Sequence, residues 1–277
     1  MAAFFAPIGF RDEIWVTVLI VLASIGLVIT LGLWVFTLYK IIRLDIKTRN
    51  LWLSQVLLLF VCLSYGTCFI WIPTPNTATC AAIRFLPGVC YAGLFAGLLL
   101  KTLNIITEAR HVYVPGYVQV TLFTALVTVQ LVIGSQWLIL VPPAVVVFVY
   151  DNGSERLLCS SSLEEIILSF VYLLLLVFVL CVTTSAARRR TVIHREEAFL
   201  LSVCVGFIIP IWVAWSLLGT VGTGRLAYED PCLAFGLLAT TSLVLILVFL
   251  PRARRLSKLS RTLHHVTFGE AQYAIRK

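Results

Sequence analysis

Charged residues in this chain come in short clusters, and long uninterrupted apolar stretches run between them. Seven such stretches are found: Ile14–Tyr39, Leu51–Ile72, Ala81–Ile106, Tyr117–Leu140, Leu163–Thr184, Phe199–Gly219 and Pro231–Leu250. Each holds at least 20 residues, and about 20 suffice to carry a helix across the hydrocarbon core of a bilayer. The stretches are apolar throughout. Strands of membrane barrels instead alternate in segments of about 10 residues, so the pattern predicts helices. Seven is odd and no internal repeat is visible, which disfavours an inverted-repeat transporter. The expected fold is an all-α, seven-transmembrane helix bundle over 14–250, with a short tail at 1–13 and a basic tail at 251–277.

Composition agrees. Of 277 residues, 60% are hydrophobic and only 12% charged. Soluble domains are roughly half apolar and about a quarter charged, and disordered chains are poorer still in apolar residues. Arg11, Asp12 and Glu13 precede the first apolar run, with no basic segment ahead of them. The residues before Ile14 are therefore expected to be a tail and not a cleaved leader.

The net charge of +8 is unevenly spread. With the N-terminus outside, 17 of the 21 basic residues face inward, among them Lys101, Arg110, Arg188, Arg189, Arg190 and Arg252. Arg11, Arg84, Arg156 and Arg225 remain outside. Lys and Arg favour cytoplasmic loops, so the expected topology is N-out and C-in. Basic clusters at an inner leaflet suit anionic headgroups, and no nucleic-acid partner is expected. Asn152-Gly153-Ser154 forms a glycosylation sequon in the outer loop between spans four and five. Cys80, at the start of the third span, and Cys159, in the same outer loop, both face the oxidising side. A bridge between them would tie that loop to the third span, with Cys232 left as a thiol or as a rival partner.

Intramembrane charge would mark a pump or ion path, and there is almost none. The seventh span lacks a Lys for a retinal Schiff base, no catalytic motif appears, and the four His are scattered. No enzyme, cofactor or metal site is expected. A helix-bundle receptor fits best; a scaffold for another receptor and, behind it, a transporter or channel are the alternatives.

Several stretches then point to one family. The third span reads CAAIRFLPGVCYAGLFAGLLLKTLNI, with its Cys, nearby Arg and later Lys-Thr. The fourth span and its loop read QLVIGSQWLILVPPAVVVFVYDNGSERLLCSSSLEE, with Pro142-Pro143 and a late Cys. The third inner loop reads RRRTVIHREEAFLL, the sixth span VGFIIPIWVAWSLLG, and the seventh ends Phe249-Leu250-Pro251-Arg252. In order and spacing these resemble the transmembrane domain of class C G-protein-coupled receptors of the metabotropic glutamate type. The Tyr-Glu-Asp-Pro-Cys run before the last span is similar to the retinoic-acid-inducible orphan branch. Three features depart from the family pattern. Most members carry a large extracellular ligand-binding module, whereas 13 residues precede the first span here. Phe85 stands where a second Arg is common, and Arg252 replaces a Lys.

The resemblance implies a plasma-membrane receptor that couples to a heterotrimeric G protein, forms homo- or heterodimers, and responds to a small-molecule ligand not identified by sequence. It also implies an ionic latch of Lys101 with Glu197, Glu196 being a rival. Snorkelling of Lys101 to headgroups is an equal alternative. Tyr91, Trp212 and Trp215 are candidates to line a cavity in the outer half of the bundle. For Trp215 the interfacial aromatic belt is the stronger expectation, and Pro210 before Trp212 can kink the helix. Arg84 is placed to meet either an anionic ligand group or the outer acids. Arg110, Arg188, Arg189, Arg190 and Arg252 are the candidates to face the G protein.

Overall fold

The computed structural model describes residues 9, 11, 13–44, 51–149, 155–159, 167–190, 195–220 and 225–254. Asn152 and the tail beyond Arg254 lie outside them. The elements in order are α1 (Ile14–Leu44), α2 (Leu51–Cys68), α3 (Thr77–Ala109), α4 (Gly116–Leu140), β1 (Val145–Val149), β2 (Glu155–Cys159), α5 (Val171–Arg190), α6 (Arg195–Thr220) and α7 (Arg225–Val244). A 3-10 turn at Phe69–Trp71 extends α2. A π-helical turn at Leu245–Phe249 continues α7, which runs on as far as Arg254. All seven helices are long and apolar enough to cross a membrane, so the chain is a multi-pass, seven-transmembrane bundle.

The helices are apolar on every side because lipid, not water, surrounds them. Their differences lie in burial. The most apolar window of α3 is 78% buried and that of α4 only 17%, which makes α3 the central post. It packs against α2, α4 and α5, while α7 packs against α1, α2 and α6. The α3 start is fixed by a capping box: Asn76 accepts from the Thr79 amide at 2.8 Å, and the Asn76 amide donates to Thr79 Oγ1 at 2.7 Å. Such reciprocal bonds satisfy two otherwise orphaned groups at a helix entry. The other end turns through His111, whose φ of 55° takes the left-handed position usual for a residue just past a helix.

Between α4 and α5 stands an antiparallel hairpin, β1 with β2, in register from Val145 opposite Cys159 to Val149 opposite Glu155. Pro142 and Pro143 end the helical winding before it. Cys159, the last residue of β2, is bonded to Cys80 in the first turn of α3. At this disulfide end the chain entry is also tied down. Thr74 N–H donates to Gly9 O at 2.8 Å, Arg11 N–H to Ile72 O at 3.1 Å, and Arg11 Nη1 pairs with Asp230 at 2.7 Å. That pair is 6% and 14% exposed and joins the start of α1 to α7.

Candidate functional site

Two clusters combine buried polar or aromatic groups from several helices. The first lies inside the bundle between α3, α5, α6 and α7. Tyr91 and Phe95 stand one helical turn apart on α3 and are stacked at 5.7 Å. Trp212 and Trp215 project from α6 three residues apart, on one helix face. Phe170 comes from the segment leading into α5. Tyr91 meets Trp212 edge-on at 4.9 Å, Phe170 meets Trp212 at 6.0 Å and Trp215 at 6.4 Å, and the two tryptophans are 5.8 Å apart. Spacings of this kind, with tilted or edge-on rings, are the favourable ones for aromatic quadrupoles. The Tyr91 hydroxyl reaches Thr240 on α7.

The structure thus brings together Tyr91, Trp212 and Trp215, the three residues expected to line a cavity, in one aromatic cluster. Trp215 is not in an interfacial belt. It is 5% exposed because Gly236 of α7 lets the indole lie flat against the backbone, where a Cβ would come within 2.8 Å of the ring. Trp212 Nε1 and Trp215 Nε1 of this cluster, and Thr241 Oγ1 one residue past Thr240, are buried with no hydrogen-bond partner among the described residues. Buried donors of this kind are uncommon and costly. Phe95, Phe170 and Thr241 were not singled out in sequence, since nothing in an apolar span distinguishes an inward Phe from a lipid-facing one.

Arg84 lies beside the end of α4. It is 4% exposed and turned toward α4: its Nη1 donates to the Val141 carbonyl at 3.1 Å, and the guanidinium lies 5.6 Å over the Trp137 ring. A cation at a helix C-terminus satisfies a free carbonyl and the negative dipole end. Arg84 thus caps the end of α4.

The second cluster lies at the opposite end of the bundle. Lys101 of α3, Glu197 of α6 and Arg252 of α7 line one small cavity with Leu200, Leu201, Leu247, Val248 and Pro251. Its volume of about 20 Å³ is room for about one water molecule. Glu197 sits in the first turn of α6, where the helix dipole favours a carboxylate. Glu197 acts electrostatically on Arg252, and Arg252 Nη1 donates to Ser54 Oγ of α2 at 2.5 Å. Four helices therefore meet in one polar knot. Ser54 carried no sequence signal, being 198 residues from its partner. Arg110 is exposed at the end of α3, and Arg188 and Arg189 are exposed at the end of α5. Arg188 lies 5.3 Å over the Phe199 ring, and Arg190 closes α5. The structure gathers these basic residues at the Arg252 end, away from the disulfide.

Comparison with known proteins bears on both clusters. Residues 11–252 match the family described as "7 transmembrane sweet-taste receptor of 3 GCPR". The G-protein coupled receptor family C group 5 member C of Rattus norvegicus is 33% identical over 136 residues, which is 47% of this chain and 30% of that protein. The proteins of the same name from Homo sapiens and Mus musculus are 32% and 31% identical over 136 and 137 residues, with the same shares. The aligned part spans less than a third of those relatives' length. The family match, in contrast, runs from the start of α1 to Arg252 and takes in the disulfide, the aromatic core and the polar knot. The chain belongs to the seven-transmembrane family of class C G-protein-coupled receptors.

Proposed function

We propose that this chain is a signalling receptor of the plasma membrane, with its N-terminus and the hairpin outside and the Arg252 end in the cytoplasm. The observation that carries the reading is the polar knot. Lys101, Glu197, Arg252 and Ser54 come from four different helices and meet at the end richest in basic residues. A shared carboxylate holds α3, α6 and α7 together while it is engaged, and release lets them part. That is a two-state element whose equilibrium a ligand or partner can shift. Lys101 and Glu197 form the latch, and Arg110, Arg188, Arg189 and Arg190 present the basic face to a heterotrimeric G protein.

The aromatic cluster is the ligand-sensing side of the same device. The two indole N–H groups and the Thr241 hydroxyl, buried without partners among the described residues, suit a small, largely apolar molecule that brings hydrogen-bond acceptors. A molecule bound there would press on the rings, and Trp212 is in contact with Tyr91, Phe95, Phe170 and Trp215 at once. A movement there passes down α6 toward Glu197. Dimerisation with a second class C receptor is expected alongside, as in the family.

The test is basal nucleotide exchange on purified G protein by receptor reconstituted in nanodiscs. Lys101→Glu places two carboxylates together and should raise basal exchange about fivefold or more, the lower range of allosteric couplings. Adding Glu197→Lys should bring it back. Wild-type basal exchange in a well-folded Lys101→Glu receptor refutes the latch.

A further inference from the structure

Toward the Arg252 end the winding of α7 changes. Residues Leu245–Phe249 form a π-helical turn between α-helical Val244 and Leu250. A π turn closes i→i+5 bonds, holds one residue more than an α turn, and is often found where a helix has a function. Each α-helical residue advances about 100° around the axis, from 3.6 residues per turn. If the same residues were wound as α-helix throughout, everything past Leu250 would therefore sit about 100° further round. The π turn decides which face of α7 carries Arg252.

As wound, that face looks at α2 and α6. Arg252 donates to Ser54 at 2.5 Å, faces the Glu197 carboxylate, and shares a cavity with Lys101. Two features make rewinding feasible. Pro251 has no N–H, so the bond its amide would make across the turn is missing in either winding. Leu245, Ile246 and Leu250 also line a groove of about 570 Å³ between α1 and α7, together with Ile25, Ile29 and Ala239. Ile246 is 55% exposed, so its side chain can swing without displacing packed core. Val248 and Phe249, buried on the other side, hold the present winding.

We propose that the π turn of α7 is a register joint: wound as π it docks Arg252 between α2 and α6, and rewound as α it swings Arg252 off both and opens that end of the bundle. Its use as a switch rests on the receptor reading; the docking does not.

The first measurement is a double-mutant cycle on the melting midpoint of the full chain in nanodiscs. Ser54→Ala and Arg252→Ala should each lower the midpoint by about 2–4 °C, and the double variant should fall no further. Fully additive losses overturn the docking. The second is deletion of Ile246, which removes the extra residue so that a plain α winding keeps Arg252 on its present face. The Ser54–Arg252 coupling should survive the deletion, with basal exchange below that of the parent, whereas Arg252→Ala should raise exchange about fivefold. Loss of coupling in the deletion variant overturns the joint. Should the deletion variant not fold, a cleavable thiol cross-link between Ser54→Cys and Arg252→Cys decides. Cross-linking should suppress exchange and cleavage release it, and exchange indifferent to the cross-link overturns the joint. If no receptor, parent included, drives exchange while the melting coupling persists, the receptor reading fails and the docking stands.

Discussion

At the scale of single residues, position in the bundle outweighs residue type. Arg84 and Arg252 are both arginines at a span end. One caps α4 and the other knots three helices. The guanidinium suits either role because its planar fork donates in several directions at once. Cys80 and Cys159 make the same point. Among eight cysteines, these two have Cα atoms 5.5 Å apart, within the range a disulfide needs. They close a loop of 79 residues. In the chain-entropy account a loop of about 80 residues is stabilised by at most about 4 to 5 kcal/mol, and helices that persist in the membrane-embedded unfolded chain lower that figure. Cys159→Ser should therefore reduce the melting midpoint by several degrees, while Cys232→Ser leaves it close to the parent, as followed by thiol-reactive dye on heating. Equal losses from the two would mean that the bridge contributes no more than an ordinary buried thiol. Both cysteines were legible in the sequence, because the expected topology puts them on the oxidising side. The burial of Trp215 was not. A Trp near a span end usually belongs to the interface, and only Gly236 on another helix makes room for it inside.

At the scale of elements, the seven helices were legible because each is a continuous apolar run, and a bilayer leaves no other single-segment solution. Their ends were less so. α3 begins at Thr77 and not at Ala81 because Asn76 and Thr79 cap each other, and α7 winds past Leu250 to Arg254 because its π turn carries it on. The hairpin carries little signal in the sequence. Val145–Val149 is a short run of β-branched and aromatic residues, and its partner strand is polar at one end, so neither alternates cleanly. Helix pairing was not legible at all, yet small residues record it. Gly93 and Gly97 face α2 from α3, four residues apart, the spacing that lets membrane helices approach closely. A Cβ on Gly93 would run into the Phe60 ring, and one on Gly97 would lie 2.7 Å from Leu57. Phe60 has little freedom to retreat, because it is edge-on to Phe123 of α4 at 5.7 Å. Overpacking of this kind costs about 1 to 3 kcal/mol. Gly93→Ala should accordingly lower the melting midpoint, by about 2–4 °C per kcal/mol. Gly32→Ala in α1, with nothing within 4 Å of the added Cβ, should leave it unchanged or raise it slightly. A Gly93→Ala receptor as stable as the parent would show that α2 and α3 are not closely packed through this glycine.

At the scale of the whole molecule, the two ends differ in kind. One is stapled: the disulfide holds the hairpin to α3, backbone bonds hold residues 9 and 11 to the α2–α3 connection, and Arg11–Asp230 holds α1 to α7. At the other, Lys101, Glu197 and Arg252 line a small cavity, Arg252 donates to Ser54, and basic residues stand about it. On the proposed reading the stapled end is the stiff one, and helix movement is concentrated at the end the knot holds. For that to transmit a signal inward, the latched end must be cytoplasmic. The distribution of 17 basic residues against 4 favours the same orientation. The two arguments are independent, since one concerns charge in the loops and the other the bonds between helices. Glycosylation separates the possible outcomes. Asn152 falls between β1 and β2 in the sequence and should carry a glycan in cells, with a mobility shift removed both by endoglycosidase and by Asn152→Gln. A sequon engineered into 191–194, between α5 and α6, should stay unmodified. The reverse pattern would turn the bundle over and place the polar knot outside, where no G protein could reach it.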